Sequence, residues 1–523
     1  MDIPYYLKIG KAPDVESLKE RIIYRALEIF PGALVWFTLI GMFILSWLVP
    51  VYIAFFIIGF CLYWLLRTLY FSTCLTLAYK ELYKNLNIDW LEKLNELSSF
   101  NPKLKIDSWK DIYHLIIFPM YKENIEIARG SFQALVDCHY PKDKMIVVLG
   151  IEKRAGEEAK KTAQEIEKEF GGKFYRFLVT EHPNNIPGEI AGKGSNECWA
   201  GRYVKEKIID REKILYEKII VSSFDIDTQV YPHYFSCLTH HYLTDSEPFR
   251  SSFQPIPLYL NNLEEAPFFS RVVSSCNVFW QMIQQQRPEK LVTYSSHSMS
   301  FKALIEMDFW QSNVVSEDAG IFWKSFLFFD GNYKVIPLHY PISQDNCVAK
   351  TLKQTIINQY KQQRRWAWGS EGIPYLLFGF FKNKQISFRK KFHYAFLLIE
   401  GCWAWGTNAL IILFLGWLPI VLGGEKFQES VLSYNLPGIT GNLMKVALVG
   451  VIIFMVINTL LINSRAFYFG RWKNLFILSQ WLFLPFSLII FGTIPAIDAQ
   501  TRLMLGKYMG FWVTEKARFK KPV

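Results

Sequence analysis

Asp225 and Asp227 stand two residues apart, directly after the apolar run Ile219-Ile220-Val221. Two carboxylates at that spacing on a strand end both reach a hard divalent cation, one directly and one through water or ligand, and leave positions for diphosphate oxygens. The pair is a candidate Mg2+ or Mn2+ site for a nucleotide, although turn chemistry alone also favours aspartate after a strand. Ser316-Glu317-Asp318 is a second acidic group. It makes a good helix start, and a carboxylate there can also serve as general base toward a hydroxyl. The Gly-rich residues 188–196 open a further helix, so their N–H groups and Lys193 can meet an anion; a tight turn with a helix cap explains them equally well. Gln362, Arg365 and Trp366 fall within one helical turn, which gathers an amide, a guanidinium and an indole on one face. Arginine pairs with phosphate and tryptophan stacks on a sugar ring. An interfacial amphipathic helix would account for Arg364, Trp368 and Tyr375 but would leave Gln362 without a task.

The elements that must position these groups form an α/β pattern between Tyr113 and Phe329. Strand-length apolar runs at 112–118, 145–149, 174–179 and 219–224 alternate with helical patterns at 123–136 and 156–170, which predicts a mostly parallel, Rossmann-like sheet. Pro119 is expected to stop the first strand. Ligands of such sheets bind beyond the carboxyl ends of the strands. Polar clusters fall at three of these ends, at residues 119–123, 150–152 and 225–227, so chain-distant groups are expected to meet in one crevice.

Around this region the chain reads as membrane protein. Of 523 residues, 51% are hydrophobic and 17% aromatic, which is unusual for a soluble enzyme. Residues 32–66 carry no charge and are divided by Pro50, predicting a transmembrane hairpin with its N-terminus cytoplasmic and no cleaved signal. Apolar blocks follow at 392–423, 443–462 and 475–490. Arg389, Lys390 and Lys391 flank the first, and Arg465, Arg471 and Lys473 separate the other two, which puts the middle region in the cytoplasm. Three simple crossings would then leave the basic tail of Lys516, Arg518, Lys520 and Lys521 outside. One block is therefore not a simple crossing: either 392–423 is more than one segment, or Pro485 and Pro495 mark a re-entrant turn in the last. The net charge of +11 fits this positive-inside bias; attraction of anionic nucleotides or lipid headgroups to the cytoplasmic face is the sharper alternative. Nucleic-acid binding is excluded as a reading, for there is no basic repeat with interleaved aromatics and no zinc-finger or helix-turn-helix pattern. The scattered cysteines argue against structural zinc and a disulfide framework.

Together these pieces resemble the membrane-integrated family 2 glycosyltransferases, the group of cellulose, chitin and hyaluronan synthases. The resemblance implies an α/β GT-A domain beside an α-helical transmembrane bundle. By motif, Asp225 and Asp227 resemble the family's metal-binding DxD, and Asp318 with Glu317 resembles its TED motif, whose aspartate is the catalytic base. Gln362, Arg365 and Trp366 resemble QxxRW, which contacts donor diphosphate and acceptor sugar. Phe511 to Lys516, with Trp512 and Thr514, resembles the gating segment FxVTxK, here at the end of the chain. Pro119, Tyr121 and Glu123 fall where the family's first strand meets the nucleotide base. Glu152 stands where the family carries paired aspartates, and Lys193 lies in a partial match to its Lys/Asn loop.

The implied organisation is a cytoplasmic segment (1–30), a transmembrane hairpin (31–73), a connecting helical segment (74–110), a GT-A domain (111–350), interface helices (351–391), transmembrane or interfacial helices (392–495) and a gate-like cytoplasmic tail (496–523). The expected activity is inverting, metal-dependent transfer from a nucleotide-sugar donor, a UDP-sugar in the first instance, to a saccharide acceptor at the cytoplasmic face of the plasma membrane, as a processive polysaccharide synthase. Single transfer to a polyprenyl phosphate or glycolipid is the alternative within the class, so the expected partners are donor, saccharide or lipid-linked acceptor, and membrane lipid. A transporter with a regulatory nucleotide-binding domain is the rival from another class. It requires charge inside the apolar blocks, where Glu400 is the evident acidic residue.

Overall fold

The computed structural model describes residues 3–463 and 479–518. Arg465, Arg471, Lys473, Lys520 and Lys521, on which part of the orientation reading rested, lie outside the described residues. Strands β1 (Tyr113–Met120), β2 (Met145–Glu152), β3 (Arg176–His182) and β4 (Ile219–Ser223) form the parallel half of one sheet. Helices Ile125–Asp137 and Glu157–Phe170 cross over between them. Side chains alternate across β1, so Ile116 and Phe118 enter one core while Leu115 and Ile117 enter the other.

The sheet continues beyond β4 and is mixed instead of mostly parallel. Strands β5 (Gln229–Val230), β6 (Ser251–Leu258), β7 (Ser298–Ser300) and β8 (Lys334–Ser343) complete the order β3-β2-β1-β4-β7-β6-β8-β5. Strand β7 runs antiparallel to β4 and β6, and β5 antiparallel to β8. Pro119 also departs from expectation, because β1 runs through it and Pro119 pairs in register with Gly150. The reason is the direction of its missing donor. Ile117 accepts from Phe224 N–H on the β4 side, and Pro119, two residues on, faces that same side past β4's last pairing with β1. No ladder bond is lost there.

Among the described residues, five helices are long and apolar enough to cross a membrane: Leu18–Leu48, Pro50–Leu86, Phe388–Leu413, Val431–Ile462 and Gln480–Met504. The expected hairpin lies within the first two, which break at Val49 with Pro50 in the first turn of the second. With 37 residues, the second is about 55 Å long at 1.5 Å per residue. It outruns the hydrocarbon, and its last turns bury Leu75, Ala78 and Leu82 in the α/β core. Helix Val431–Ile462 lies against it at Gly450, where a Cβ would fall 2.4 Å from Thr68 Cγ2. Helix Phe388–Leu413 is tied to both: Trp403 donates to Thr38 Oγ1 at 2.9 Å, and Glu400 pairs with Arg67.

The last of the five packs against the α/β side of the molecule. Gln480 accepts from Arg271 at 3.0 Å, Phe491 stacks on Phe269 at 5.2 Å, and Asp498 accepts from Tyr360 and Arg364 at 3.0 and 2.9 Å. Both its ends and its middle therefore lie along helices Phe268–Gln285 and Leu352–Ala367, on the side of the α/β domain. It also bonds to helix Phe388–Leu413, through Thr493 Oγ1 on Trp405 O at 3.2 Å and Gln500 Nε2 on Cys402 O at 2.9 Å, and is interrupted by a π-helical stretch at Ile489–Thr493 next to Pro485 and Pro495. The preceding block, 392–423, is one membrane-length helix followed by short turns, Leu415–Trp417 and Leu418–Leu422.

Candidate functional site

The carboxyl ends of β1, β2 and β4 open onto one cavity of about 1110 Å3, closed on its far side by helix Leu352–Ala367 and the C-terminal segment. Asp225, Asp227, Asp318 and Trp366 all line it. Residues as far apart in sequence as Asp225 and Trp366 thus face the same space, as the strand-end argument requires.

Lys193 is the hub. It opens helix Lys193–Val204, and its buried ammonium lies 2.9 Å from Asp225 Oδ1 and 2.7 Å from Asp318 Oδ1. Burial works against its charge, but Asp225 and Asp318 outweigh burial and hold its pKa well above the usual lysine range. The sequence offered Lys193 to an anion from a glycine loop; the structure turns it onto carboxylates. Asp225 also accepts from Ser295 Oγ at 2.5 Å. Burial would raise its pKa, yet Lys193 and then Lys516 keep it below the ordinary carboxylate range. Glu197, buried beneath Lys193 and bonded to Ser223 Oγ, is pushed up to about 8 by burial.

Asp227 is fully buried. Its Oδ2 takes Lys516 and the backbone N–H of Asp345 at 2.8 Å, while Oδ1 has no hydrogen-bond partner. An orphaned carboxylate oxygen beside Asp225 fits a hard divalent cation whose other ligands come from a diphosphate. Among the described residues no group of three or more His, Cys, Asp or Glu is assembled to hold a metal. Asp225 and Asp227 are the carboxylates that would hold such an ion.

Asp318 sits in the first turn of helix Glu317–Phe328. The loop feeding it is held by Glu371, whose carboxylate accepts the backbone N–H groups of Val315 and Ser316 at 3.0 and 2.7 Å and Trp368 Nε1 at 2.7 Å. Burial pushes Glu371 up to about 7, against those three donors. Sequence reasoning passed over it, although it is the lone charge between Trp366 and Phe381. Thr293 Oγ1 donates to Asp318 O at 2.6 Å and fixes the same turn from the other side.

Gln362, Arg365 and Trp366 line the cavity from helix Leu352–Ala367. The Arg365 guanidinium lies 4.8 Å from the Phe511 ring. Phe511 is seated on Gly192, where a Cβ would fall 2.5 Å from the ring, so only glycine admits this closure. The segment then lays Thr514 and Lys516 along the cavity and is anchored by Arg518, which pairs with buried Asp345 at 2.7 Å, and by Ala517 N–H on Val348 O at 2.9 Å. The Arg518–Asp345 anchor carried no sequence signal of its own.

Pro119, Tyr121, Glu123 and Glu152 line the opposite end. Arg154 pairs with Glu152 and lies 4.6 Å over the Tyr121 ring, giving this end a flat aromatic floor under a guanidinium. Two expected residues are not on the cavity wall. Glu317 is buried behind it, 3.9 Å from Lys193, because the first helical turn points only Asp318 outward. Trp512 turns away from the cavity, under the Lys361 ammonium at 5.2 Å, since successive residues of an extended segment face opposite ways.

Residues 220–490 match the family model described as glycosyl transferase family group 2. Among solved structures, the chain is similar to the mannosyltransferase PcManGT from Pyrobaculum calidifontis in complex with GDP-Man and Mn2+, at 12% identity and a TM-score of 0.41 over 76% of this chain and 99% of that one. It is also similar to S. aureus TarS 1-349 in complex with UDP-GlcNAc, at 10% identity and a TM-score of 0.37 over 69% and 94%. No curated protein matches it in sequence.

Proposed function

Because the chain belongs to glycosyl transferase family group 2, we propose that it moves a sugar from a nucleoside-diphosphate donor, a UDP-sugar first among those to test, onto an acceptor hydroxyl at the membrane surface with inversion at the anomeric carbon. The observation that carries this reading is the single Lys193 ammonium held between Asp225 and Asp318. It puts a cation-ligand candidate and a base candidate side by side in one cavity. Asp318 takes the proton of the acceptor hydroxyl as that oxygen attacks the anomeric carbon in line with the departing diphosphate. One displacement inverts the configuration. Arg365 lends positive charge toward the diphosphate, and Trp366 offers its indole to an acceptor sugar. A divalent cation at Asp225 and Asp227, Mg2+ or Mn2+, would supply further charge to the leaving group. Arg389, Lys390 and Lys391, at the start of helix Phe388–Leu413 on the α/β side, support a cytoplasmic catalytic face.

The test is release of nucleoside diphosphate by the detergent-purified protein across a panel of nucleotide sugars, with and without Mn2+. Asp318→Asn is expected to abolish transfer while leaving donor binding nearly intact. Substantial transfer by that variant rejects the assigned base.

A further inference from the structure

The cavity does not end at Trp366. It continues between helices Pro50–Leu86 and Phe388–Leu413 to an arm walled by Trp64, Phe71 and Trp280 and flanked by Arg67, Arg287 and Lys290. We propose that this arm holds the phosphate of an anionic lipid, and that the acceptor is a phosphate-bearing lipid whose headgroup reaches from there to Asp318. The inference rests on the glycosyltransferase reading and narrows its acceptor.

Arg287 is the main observation. It is 6% exposed, yet its Nε and Nη1 are buried and meet no hydrogen-bond acceptor among the described residues. Its guanidinium lies only against the rings of Tyr70 and Phe71, at 5.6 and 5.5 Å. A buried guanidinium with idle donors, facing a cavity, is a built half-site for an anion. Arg67 lies on the same Phe71 ring at 5.1 Å and on Trp64 at 4.7 Å; Glu400 answers its charge, while Arg287 has no such counterpart among the described ion pairs. Burial, and then the charges of Arg287 and Arg67, push Lys290 below the ordinary lysine range, with Glu289 and Glu400 opposing. The arm is thus electropositive in a low-dielectric setting.

The surroundings choose a lipid over a free anion. The arm opens between two membrane-length helices, beside the exposed apolar side chains Leu62, Leu66 and Phe396. An acyl or prenyl chain can stay in the hydrocarbon there while its phosphate enters. The chain also sets the reach. Arg287 is six residues from Thr293, which is bonded to Asp318 O, so the cluster lies at most about 20 Å from that contact. A headgroup of one or a few sugar units spans such a gap.

The test uses the full chain in detergent, with tryptophan emission as the readout because Trp64 and Trp280 line the arm. The probes are a polyprenyl monophosphate, the matching polyprenol and inorganic phosphate. The lipid phosphate is expected to bind roughly tenfold or more tightly than either other probe. Arg287→Gln is expected to weaken it by a similar factor, and Arg287→Lys to restore part. Lys290→Gln, at the rim, is expected to weaken it less and guards against a folding defect at Arg287. Equal binding of the polyprenol, or binding indifferent to both substitutions, overturns the proposal. Inorganic phosphate binding as tightly as the lipid phosphate assigns the cluster to a soluble anion and overturns the lipid source. Nucleoside diphosphate release is measured on the same preparations. Release with lipid binding indifferent to Arg287 sinks this inference alone; Arg287-dependent lipid binding without release from any nucleotide sugar keeps the lipid-phosphate site but removes the transferase reading and, with it, the acceptor role.

Discussion

Glu371 offers the sharpest test of how the base is positioned. Its Oε1 holds the N–H groups of Val315 and Ser316 and its Oε2 holds Trp368 Nε1. In Glu371→Gln the amide carbonyl can keep the two backbone donors, but the NH2 group then faces Trp368 Nε1–H. Trp368 is fully buried, so one donor is orphaned at a cost of about 1–3 kcal/mol. If that cost is relieved by shifting the Val315–Ser316 turn, Asp318 moves with it. At about 1.4 kcal/mol per factor of ten, kcat should fall roughly five- to a hundredfold. Donor KM should hold, because Asp225 and Asp227 hang on β4 and not on this turn. Glu371→Ala orphans all three donors and should fall further and lower the melting temperature. The assay is steady-state release of nucleoside diphosphate with acceptor, paired with thermal unfolding in detergent. Glu371→Gln with kcat within about twofold of the parent would refute the reasoning, since one orphaned donor should cost more.

The remaining predictions are briefer. The Glu371 carboxyl is pushed up to about 7 in the folded protein, so folding favours its neutral form: its contribution to stability is whole below the ordinary glutamate pKa of about 4.3 and fades as pH rises through about 7. The charged form is the better acceptor for three donors, so kcat should rise through that range, and the rising limb should vanish from the pH–rate profile of Glu371→Gln. Asp227→Asn should raise the Mn2+ concentration needed for donor binding by roughly tenfold or more, read by titration calorimetry; unchanged metal dependence would remove Asp227 from the site. Gly192→Ala should unseat Phe511, since the added Cβ overlaps its ring, and limited proteolysis should then cut the C-terminal segment faster than in the parent. Gly450→Leu should part helices Val431–Ile462 and Pro50–Leu86 and lower the melting temperature by several degrees, as overpacking costs about 1–3 kcal/mol.

The parallel half of the sheet was legible because its strands are apolar runs with turn residues behind them, and the site followed from where those runs end. Asp225 and Asp227 needed no long-range knowledge beyond that rule, whereas Asp318 stood out as part of an acidic helix start and by its likeness to the TED motif. The second half was hidden for a physical reason: β6 carries Pro255 and Pro257, β8 carries Pro337 and Pro341, and β7 is three residues of Ser-Met-Ser. Such segments fail the usual strand pattern and become strands only through partners far away, with an irregular register between Gln254 and Ile256. Lys193 was found, but its carboxylate neighbours were not, because a glycine-rich helix start looks the same whether its lysine faces phosphate or carboxylate. Glu371 and the Arg518–Asp345 pair act across the fold, where spacing along the chain says nothing. The number of membrane crossings was not legible, since hydropathy measures apolarity and not whether the apolar face meets lipid or other helices.

The length of helix Pro50–Leu86 has a mechanical consequence. One unbroken rod is rooted at one end among lipid-length helices and at the other among the buried side chains of the α/β core. Bending it would break hydrogen bonds along its axis, and pivoting it would drag Leu75, Ala78 and Leu82 out of their sockets. The two halves of the molecule are therefore splinted, and the α/β core is held at a fixed distance from the membrane-length helices. Motion is left to the parts that the rod does not brace: the C-terminal strap over the cavity and the substrate itself, which must slide into reach and out again.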